Sequence, residues 1–211
     1  MTRDEAVEHI KRLCGYRTTG DTDIIAFLQQ AQGLMETAPE LPEFLRSERS
    51  YITTQAGEER IPVPNDFLRE TEESALWYVP ESSAAEEKEL IKDDIDFLRV
   101  KYPRTQKGVP LQYALDNDYF RLFPTPDKAY LMYMTYYQRA ALLTSNIENR
   151  WLKRAPWLLI GRAGSLYAGS IRDATAETKF NQVEQDAQVR MDIANEASEH
   201  ANRRYVMGGE I

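Results

Sequence analysis

One segment of the chain has the pattern of a β-strand whose two faces are both apolar or aromatic. It runs from Ala129 to about Gln138, and successive side chains of a strand point to opposite faces. The two faces hold, in turn, Tyr130, Met132, Met134 and Tyr136, and Leu131, Tyr133, Thr135 and Tyr137. One face can pack on the core of its own domain. The other face needs a cover, which is either a second sheet or a neighbouring subunit.

The length and composition allow one domain with a real core, or one domain with a sizeable insertion. The chain has 211 residues, of which 42% are hydrophobic and 28% are charged, so disorder is excluded. No apolar run approaches the ~20 residues that span a bilayer. The acidic, amphipathic start lacks the basic and apolar regions of a secretory signal, which predicts folding in a cytoplasm.

The net charge of −8 disfavours a surface for duplex DNA, which needs clustered lysine and arginine. An acidic balance is common among soluble cytoplasmic proteins and fits an assembly component. It also fits a channel wall past which DNA slides without sticking, because like charges repel.

The middle of the chain is predicted to be rich in β-structure. Strands are expected over 51–55, over 60–63 as a returning strand, and over 75–79. Tyr113–Leu115 and Tyr119–Phe123 form a hairpin across the polar turn Asp116–Asp118. Between these strands, Ser82 or Ser83 is predicted to cap a helix that Pro103 stops.

Helices are predicted at both ends of the chain. The first covers residues 2–14, and Asp21 or Thr22 caps the second, which runs to about Ala38. Asn146 is predicted to cap a short helix with Trp151, and Pro156 to begin a buried one. The last helix begins near Asp173 or Thr175 and continues to about Tyr205, with mostly alanine at its core positions, which predicts close packing against a neighbour.

These elements predict an α+β fold that is mainly α. Residues 1–48 and 140–205 form one helical domain, a bundle of the N- and C-terminal helices. Residues 49–139 form a β-rich insertion that carries an extra helix, and residues 206–211 form a C-terminal tail.

No motif predicts catalysis, a cofactor or a metal. Glycine-rich phosphate loops, HExxH and Cys–His ligand spacing are absent, and the single cysteine, Cys14, lies in a helical stripe as a small buried hydrophobe. The carboxylates Asp93, Asp94 and Asp96, and Asp116 and Asp118, are the only route to an enzyme. Charged helix faces and polar turns explain them well, so we predict no enzyme.

The segment YALDNDYFRLFPTPDKAY resembles the hairpin of the head-to-tail adaptor proteins of tailed bacteriophages, and Tyr136-Tyr137 resemble the paired tyrosines that end the following strand. Asn149-Arg150-Trp151-Leu152, with Ala155-Pro156 and Leu158-Leu159, resembles the entry to the helix of that family, and Ala163, Leu166 and Tyr167 continue it. Gly164-Ser165-Leu166 departs from the usual pattern.

The resemblance implies a structural virion protein without cofactors or catalytic residues. Such adaptors form twelve-subunit rings beneath the portal protein, carry the tail or nozzle protein, and line the channel through which DNA leaves without sequence recognition. The implied place is the virion neck, with assembly in the host cytoplasm and no membrane.

A ring needs two different faces of each subunit to meet. The candidate subunit-interface residues are Tyr130, Met132, Tyr133, Met134, Tyr136 and Tyr137 on the strand, and Ala187, Met191 and Ala194 on the last helix. The candidate residues for docking on the portal are Tyr205, Val206, Met207 and Ile211.

Two alternatives stay open. One is a stopper or tail-completion protein of the phage neck, which would bind the adaptor ring and not the portal. The other is a hydrolase that uses acidic residues, whose activity would be lost on Asp94→Asn or Asp118→Asn.

Overall fold

The structure, a computed structural model, describes residues 1–16, 20–71, 74–80, 87–103, 105–143 and 148–207, with side chains described up to residue 195. The chain divides into two compact units. One consists of Met1–Leu45 and Ala140–Ile211, and the other of Arg46–Arg139. We call them the helical unit and the β-rich unit.

The elements are numbered in chain order. The α-helices are α1 (Arg3–Leu13), α2 (Asp21–Glu36), α3 (Ile95–Lys101), α4 (Arg150–Arg154), α5 (Pro156–Ser170) and α6 (Ala174–Met207). The strands are β1 (Ser50–Thr53), β2 (Arg60–Pro62), β3 (Phe67–Glu70), β4 (Leu76–Val79), β5 (Lys88–Glu89), β6 (Ile91–Lys92), β7 (Lys107–Gly108), β8 (Gln112–Asp116), β9 (Tyr119–Phe123), β10 (Thr125–Pro126), β11 (Leu131–Met134) and β12 (Tyr136–Gln138).

The expected fold class, mainly α with a helix bundle, is wrong. The described residues form six α-helices but also twelve strands in four sheets, so the protein is mixed α+β. The β content was underestimated because many strands are only two to four residues long. Such strands depend on pairing with distant segments and leave little periodicity in the sequence.

In the helical unit, α5 packs against both α2 and α6. It is apolar nearly all round, and Leu159, Ile160 and Ala163 are fully buried, as expected for a helix between two others. A capping box begins α1, where Thr2 and Glu5 satisfy each other's backbone N–H groups. Cys14 is buried at the end of α1, which confirms the prediction of a small buried hydrophobe.

Two of the predicted helix caps are wrong. Gly20 is the N-cap of α2, without a side-chain hydrogen bond, so neither Asp21 nor Thr22 has that position. Asn149 caps α4 instead of Asn146, which lies outside the described residues. Its carboxamide oxygen accepts from the backbone N–H groups of Trp151 and Leu152.

The predicted helix from Ser82 or Ser83 to Pro103 is also wrong in its extent. Residues 81–86 lie outside the described part, but residues 88–92 form β5 and β6, and α3 begins only after its N-cap Asp94. The apolar positions Leu90 and Ile91 are held by sheet partners. Leu90 donates to the carbonyl of Leu76, and Ile91 pairs with Gln112.

The core of the β-rich unit is built mostly from residues of two four-stranded sheets. One sheet has the order β1-β11-β4-β5 and the other the order β2-β9-β8-β6. The predicted hairpin is confirmed as β8 and β9, and Asn117 in its turn has a φ of 52°, a left-handed conformation that asparagine tolerates. The buried core cluster contains Ile61, Ala75, Leu76, Leu90, Tyr113, Phe120, Leu122, Met132, Met134 and Tyr136.

The strand predicted over 129–138 is divided in two. β11 lies between β1 and β4, and after Thr135 the chain continues as β12, which pairs with β3 in another sheet. The segment 60–63 forms a strand as predicted, but it does not return along β1, because β2 pairs with β9.

Candidate interaction surfaces

An open groove of about 610 Å³ lies in the helical unit, beside the middle of α6 from Val183 to Asn195. Its wall is largely apolar, with charged residues among the lining. The lining residues are Glu43, Phe44, Arg154, Ala155, Pro156, Trp157, Leu158, Val183, Asp186, Ala187, Arg190, Met191, Ala194 and Asn195. We call it the α6 groove. Trp157 is 40% exposed there.

The groove exists because α5 supports α6 over only part of its length. A Cβ atom at Gly161 would lie 2.7 Å from the backbone nitrogen of Glu184, so the two helices approach closely at this point. Ser165 Oγ donates to Asn181 Oδ1 over 2.7 Å, and the helices therefore run antiparallel. With the same antiparallel pairing, Pro156, the first residue of α5, lies beside α6 near Val189. Beyond that position, α6 continues to Met207 without α5 beside it.

A buried polar network fixes the short helix α4, which leads into the groove. Asn149 is 3% exposed and donates to Gln32 Oε1 over 2.9 Å and to the carbonyl of Ala141 over 2.6 Å. Glu36 Oε1 accepts from Gln32 Nε2, at 2.9 Å, and from Trp151 Nε1, at 3.3 Å. These bonds anchor Asn149 and Trp151, two residues of the family-like segment, to α2.

The candidate interface residues on the strand are mostly buried within the chain. Tyr130, Met132, Tyr133, Met134 and Tyr136 are between 0% and 5% exposed, and Tyr137 is half-buried. The face of Met132 and Met134 contributes to the core cluster. Most of the apolar and aromatic side chains on both faces of the strand are therefore buried within a single subunit. The interface role of this strand stays a prediction.

The second face of the strand is covered by aromatic neighbours and by one ion pair. Tyr133 stacks on Trp77, with ring centroids 5.9 Å apart, and meets Tyr51 edge to face. The guanidinium of Arg49 lies 4.6 Å from the centre of the Tyr133 ring, and Arg49 also pairs with Glu87 over 2.6 Å. Leu131, on the same face, remains 44% exposed.

Burial changes the titration of two tyrosines in the β-rich unit. The pKa of Tyr133 is raised to about 12, mainly by desolvation and also by the hydrogen bond that its hydroxyl donates to Glu87, whereas Arg49 opposes the shift. Burial likewise raises the pKa of Tyr113, whose hydroxyl donates to Glu70 over 2.8 Å and accepts from the N–H of Ala75. Both hydroxyls are structural donors in their neutral form.

The candidate residues on the last helix all line the α6 groove. Ala187 and Met191 are half-buried and Ala194 is exposed. Tyr205, Val206 and Met207, candidates for docking on the portal, belong to the helical backbone of α6, but their side chains lie outside the described part. Ile211 lies outside the described residues altogether, and the helix continues two residues beyond its predicted end.

Sequence reasoning missed two features of this region. Arg154 and Trp157 were not proposed as surface residues, and their role depends on where α5 ends beside α6. Val189 and Ile193 are 57% and 62% exposed, and they lie outside the core positions of α6, which are mostly alanine. The signal for this pair was present in the sequence, because two β-branched residues recur four positions apart outside those core positions.

Four of the five acidic residues considered for catalysis, Asp93, Asp94, Asp96 and Asp116, have local structural partners. Asp94 caps α3, and Asp93 accepts from the backbone N–H of Asp94. Asp96 pairs with Arg99 over 3.2 Å. Asp116 Oδ2 lies 2.7 Å from Arg121 Nε, an ion pair without a directed hydrogen bond. Among the described residues, no cluster of three or more His, Cys, Asp or Glu side chains is arranged to hold a metal ion.

The family model described as SU10 adaptor protein matches residues 1–207, nearly the whole chain. The protein is therefore a phage adaptor, a structural component of the virion neck that interacts with other neck proteins. It belongs to the SU10 adaptor protein family. No curated protein matches the chain. Within the described residues, no helix has the length and apolar character needed to cross a membrane.

Proposed function

We propose that this adaptor assembles into a closed ring, of twelve copies, that joins the portal to the tail or nozzle protein and surrounds the channel for DNA. The observation that carries this proposal is the part of α6 from Val183 to Asn195. It runs past the end of α5, borders a largely apolar groove and carries further exposed apolar side chains. Surfaces of this kind are typical of protein–protein contacts.

The charge of the chain supports the part of the proposal that concerns DNA. With a net charge of −8, the subunit lacks the excess of positive charge that would hold DNA by its phosphates. A ring of such subunits repels the DNA backbone and lets it pass without sequence recognition. Assembly in the host cytoplasm before incorporation in the virion belongs to the same proposal.

We further propose that the adaptor acts by binding and not by catalysis. In support, the acidic residues Asp93, Asp94, Asp96 and Asp116 stabilise a helix start or form ion pairs. A hydrolase that depended on Asp94 would lose its activity in Asp94→Asn, which retains an oxygen for the helix cap. An activity that disappears in this folded variant would contradict the proposal.

The experiment for the ring is a mass measurement of the purified protein, alone and mixed with portal, followed by electron microscopy of the mixture. We expect a particle that contains twelve copies of the 24.4-kDa chain, either free or attached to the portal. A protein that never forms rings under either condition contradicts the proposal. Binding to a preformed adaptor ring, but not to the portal, would identify a stopper instead.

A further inference from the structure

We infer that the α6 groove receives an apolar ridge from α6 of a second copy of the same chain. The ridge consists of Val189 and Ile193. This inference rests on the proposed ring, and it names the two surfaces through which neighbouring subunits meet.

The groove has the chemistry of a contact site with an apolar centre and a charged rim. Phe44, Pro156 and Met191 are among its apolar lining, and Trp157 adds a large exposed ring of the kind that often dominates binding energy. The guanidinium groups of Arg154 and Arg190 and the carboxylates of Glu43 and Asp186 provide the charge.

The arginines of the rim are available to a partner. Arg154 and Arg190 make no ion pair or hydrogen bond within the part of the chain whose side chains are described. Both are exposed. A partner that brings a carboxylate beside its apolar side chains would therefore complement the groove.

The ridge has these properties. Val189 and Ile193 lie four residues apart, so they are neighbours on one side of α6, and they are 57% and 62% exposed. Asp192, directly before Ile193, is exposed and supplies the acidic flank. The Asp192 carboxylate accepts a hydrogen bond from Gln188 Nε2 over 2.8 Å, and this bond orients the negative charge along α6. The ridge thus presents an apolar pair with negative charge beside it, opposite in sign to the arginines of the rim.

The two surfaces lie on different sides of α6 and can be occupied at the same time. Val189 directly precedes Arg190, and Ile193 directly precedes Ala194, so the ridge is rotated by about 100° from these groove residues. Each subunit then offers its groove to one neighbour and its ridge to another. Such a heterologous contact is the type that generates rings when the rotation closes.

Two variants separate the surfaces, and both change exposed positions so that folding is retained. The ridge variant is Val189→Lys with Ile193→Lys, whose ammonium groups repel the arginines of the rim. The groove variant is Ala194→Glu, whose side chain occupies the groove and repels the acidic flank of the ridge. The matched controls are Thr178→Lys with Gln182→Lys, and Gln182→Glu alone. They add the same charges, at the same four-residue spacing for the double variant, to exposed positions of α6 that belong to neither surface. Circular dichroism and thermal unfolding establish that each variant is folded.

The decisive experiment mixes the two defective variants and measures their mass, with the portal present if the wild type requires it to assemble. We expect the ridge and groove variants each to reduce ring assembly at least about tenfold, and the controls to assemble like the wild type. Mixed together, the two variants retain one intact groove and one intact ridge. They should therefore form a heterodimer of two 24.4-kDa chains that cannot grow further.

Three results overturn the inference. If the wild type forms rings and both variants assemble equally well, the interface lies elsewhere, while the proposed function survives. If both variants fail but their mixture forms no heterodimer, groove and ridge do not bind each other. If the wild type never assembles, alone or with portal, the proposed ring and this inference fail together.

Discussion

Gly164 in α5 lies directly against the ring of Phe180 in α6. A Cβ atom on Gly164 would lie 2.3 Å from Cδ1 and from Cε1 of that ring, far inside van der Waals contact. Phe180 is itself fully buried, so the ring has no open space into which it can move. The absence of a side chain at Gly164 thus sets the distance between the two helices and, with it, the position of the α6 groove.

We expect Gly164→Ala to lower the free energy of unfolding by at least about 2 kcal/mol, because the added methyl group overpacks the helix contact. Chemical denaturation of the purified protein measures this change. Gly169→Ala is the matched control in the same helix, since its Cβ atom would meet Glu177 at an ordinary 3.9 Å. The control should be neutral or stabilising by up to about 1 kcal/mol. Equal effects of both substitutions would show that the close approach is unimportant.

Asn149→Ala should destabilise the protein by about 2–4 kcal/mol. The change removes the cap of α4, worth about 1 kcal/mol, and leaves buried acceptors on Gln32 and Ala141 without their donor. Denaturant unfolding of the variant measures the loss. Asp94→Ala removes only the cap of α3 and should cost about 1 kcal/mol.

Asn149→Asp separates the cap from the buried network. Aspartate caps a helix as well as asparagine does, but it cannot donate to Gln32. We expect this variant to remain clearly destabilised. Stability close to that of the wild type would mean that Asn149 acts only as a cap.

The sequence predicted elements whose signals are local. The hairpin of β8 and β9 was found because Asp116–Asp118 provide turn chemistry between two apolar runs. The buried helix α5 was found because Pro156 begins a stretch that is apolar nearly all round. These features depend on neighbouring residues only.

Features that depend on distant partners were missed. Residues 88–92 were assigned to a helix, but Leu90 and Ile91 are held by Leu76 and Gln112, which no local pattern reveals. The α6 groove depends on where α5 ends beside α6, which follows from the close approach at Gly161.

The raised pKa of Tyr133 predicts a loss of stability in alkaline solution. An unfolded tyrosine ionises near pH 10, whereas the folded side chain keeps its proton to about 12. Between these values the unfolded state has lost the proton and the folded state has not, so stability falls as pH rises. The full contribution of Tyr133 to the stability of the folded state is present below pH ~10.

Denaturant unfolding at a series of pH values tests this expectation. Tyr133→Phe should make the decline above pH ~10 less steep, and combination with Tyr113→Phe should reduce the slope further. Ultraviolet absorbance of tyrosinate should show late ionisation that disappears in the same variants. An unchanged slope in the double variant would show that other groups cause the alkaline transition.

Tyr133→Asp should unfold the subunit or lower its stability by more than about 2 kcal/mol, because the carboxylate would be buried where Tyr133 is only 3% exposed. Tyr136→Asp should behave in the same way, since that side chain is 5% exposed in the core cluster. Leu131→Asp is the control on the face of Tyr133, and at 44% exposure it should cost less than about 1 kcal/mol. Thermal unfolding and ring assembly with portal are measured on all three variants. A Tyr133→Asp subunit that stays folded but cannot enter a ring would contradict this expectation and assign Tyr133 to the subunit interface.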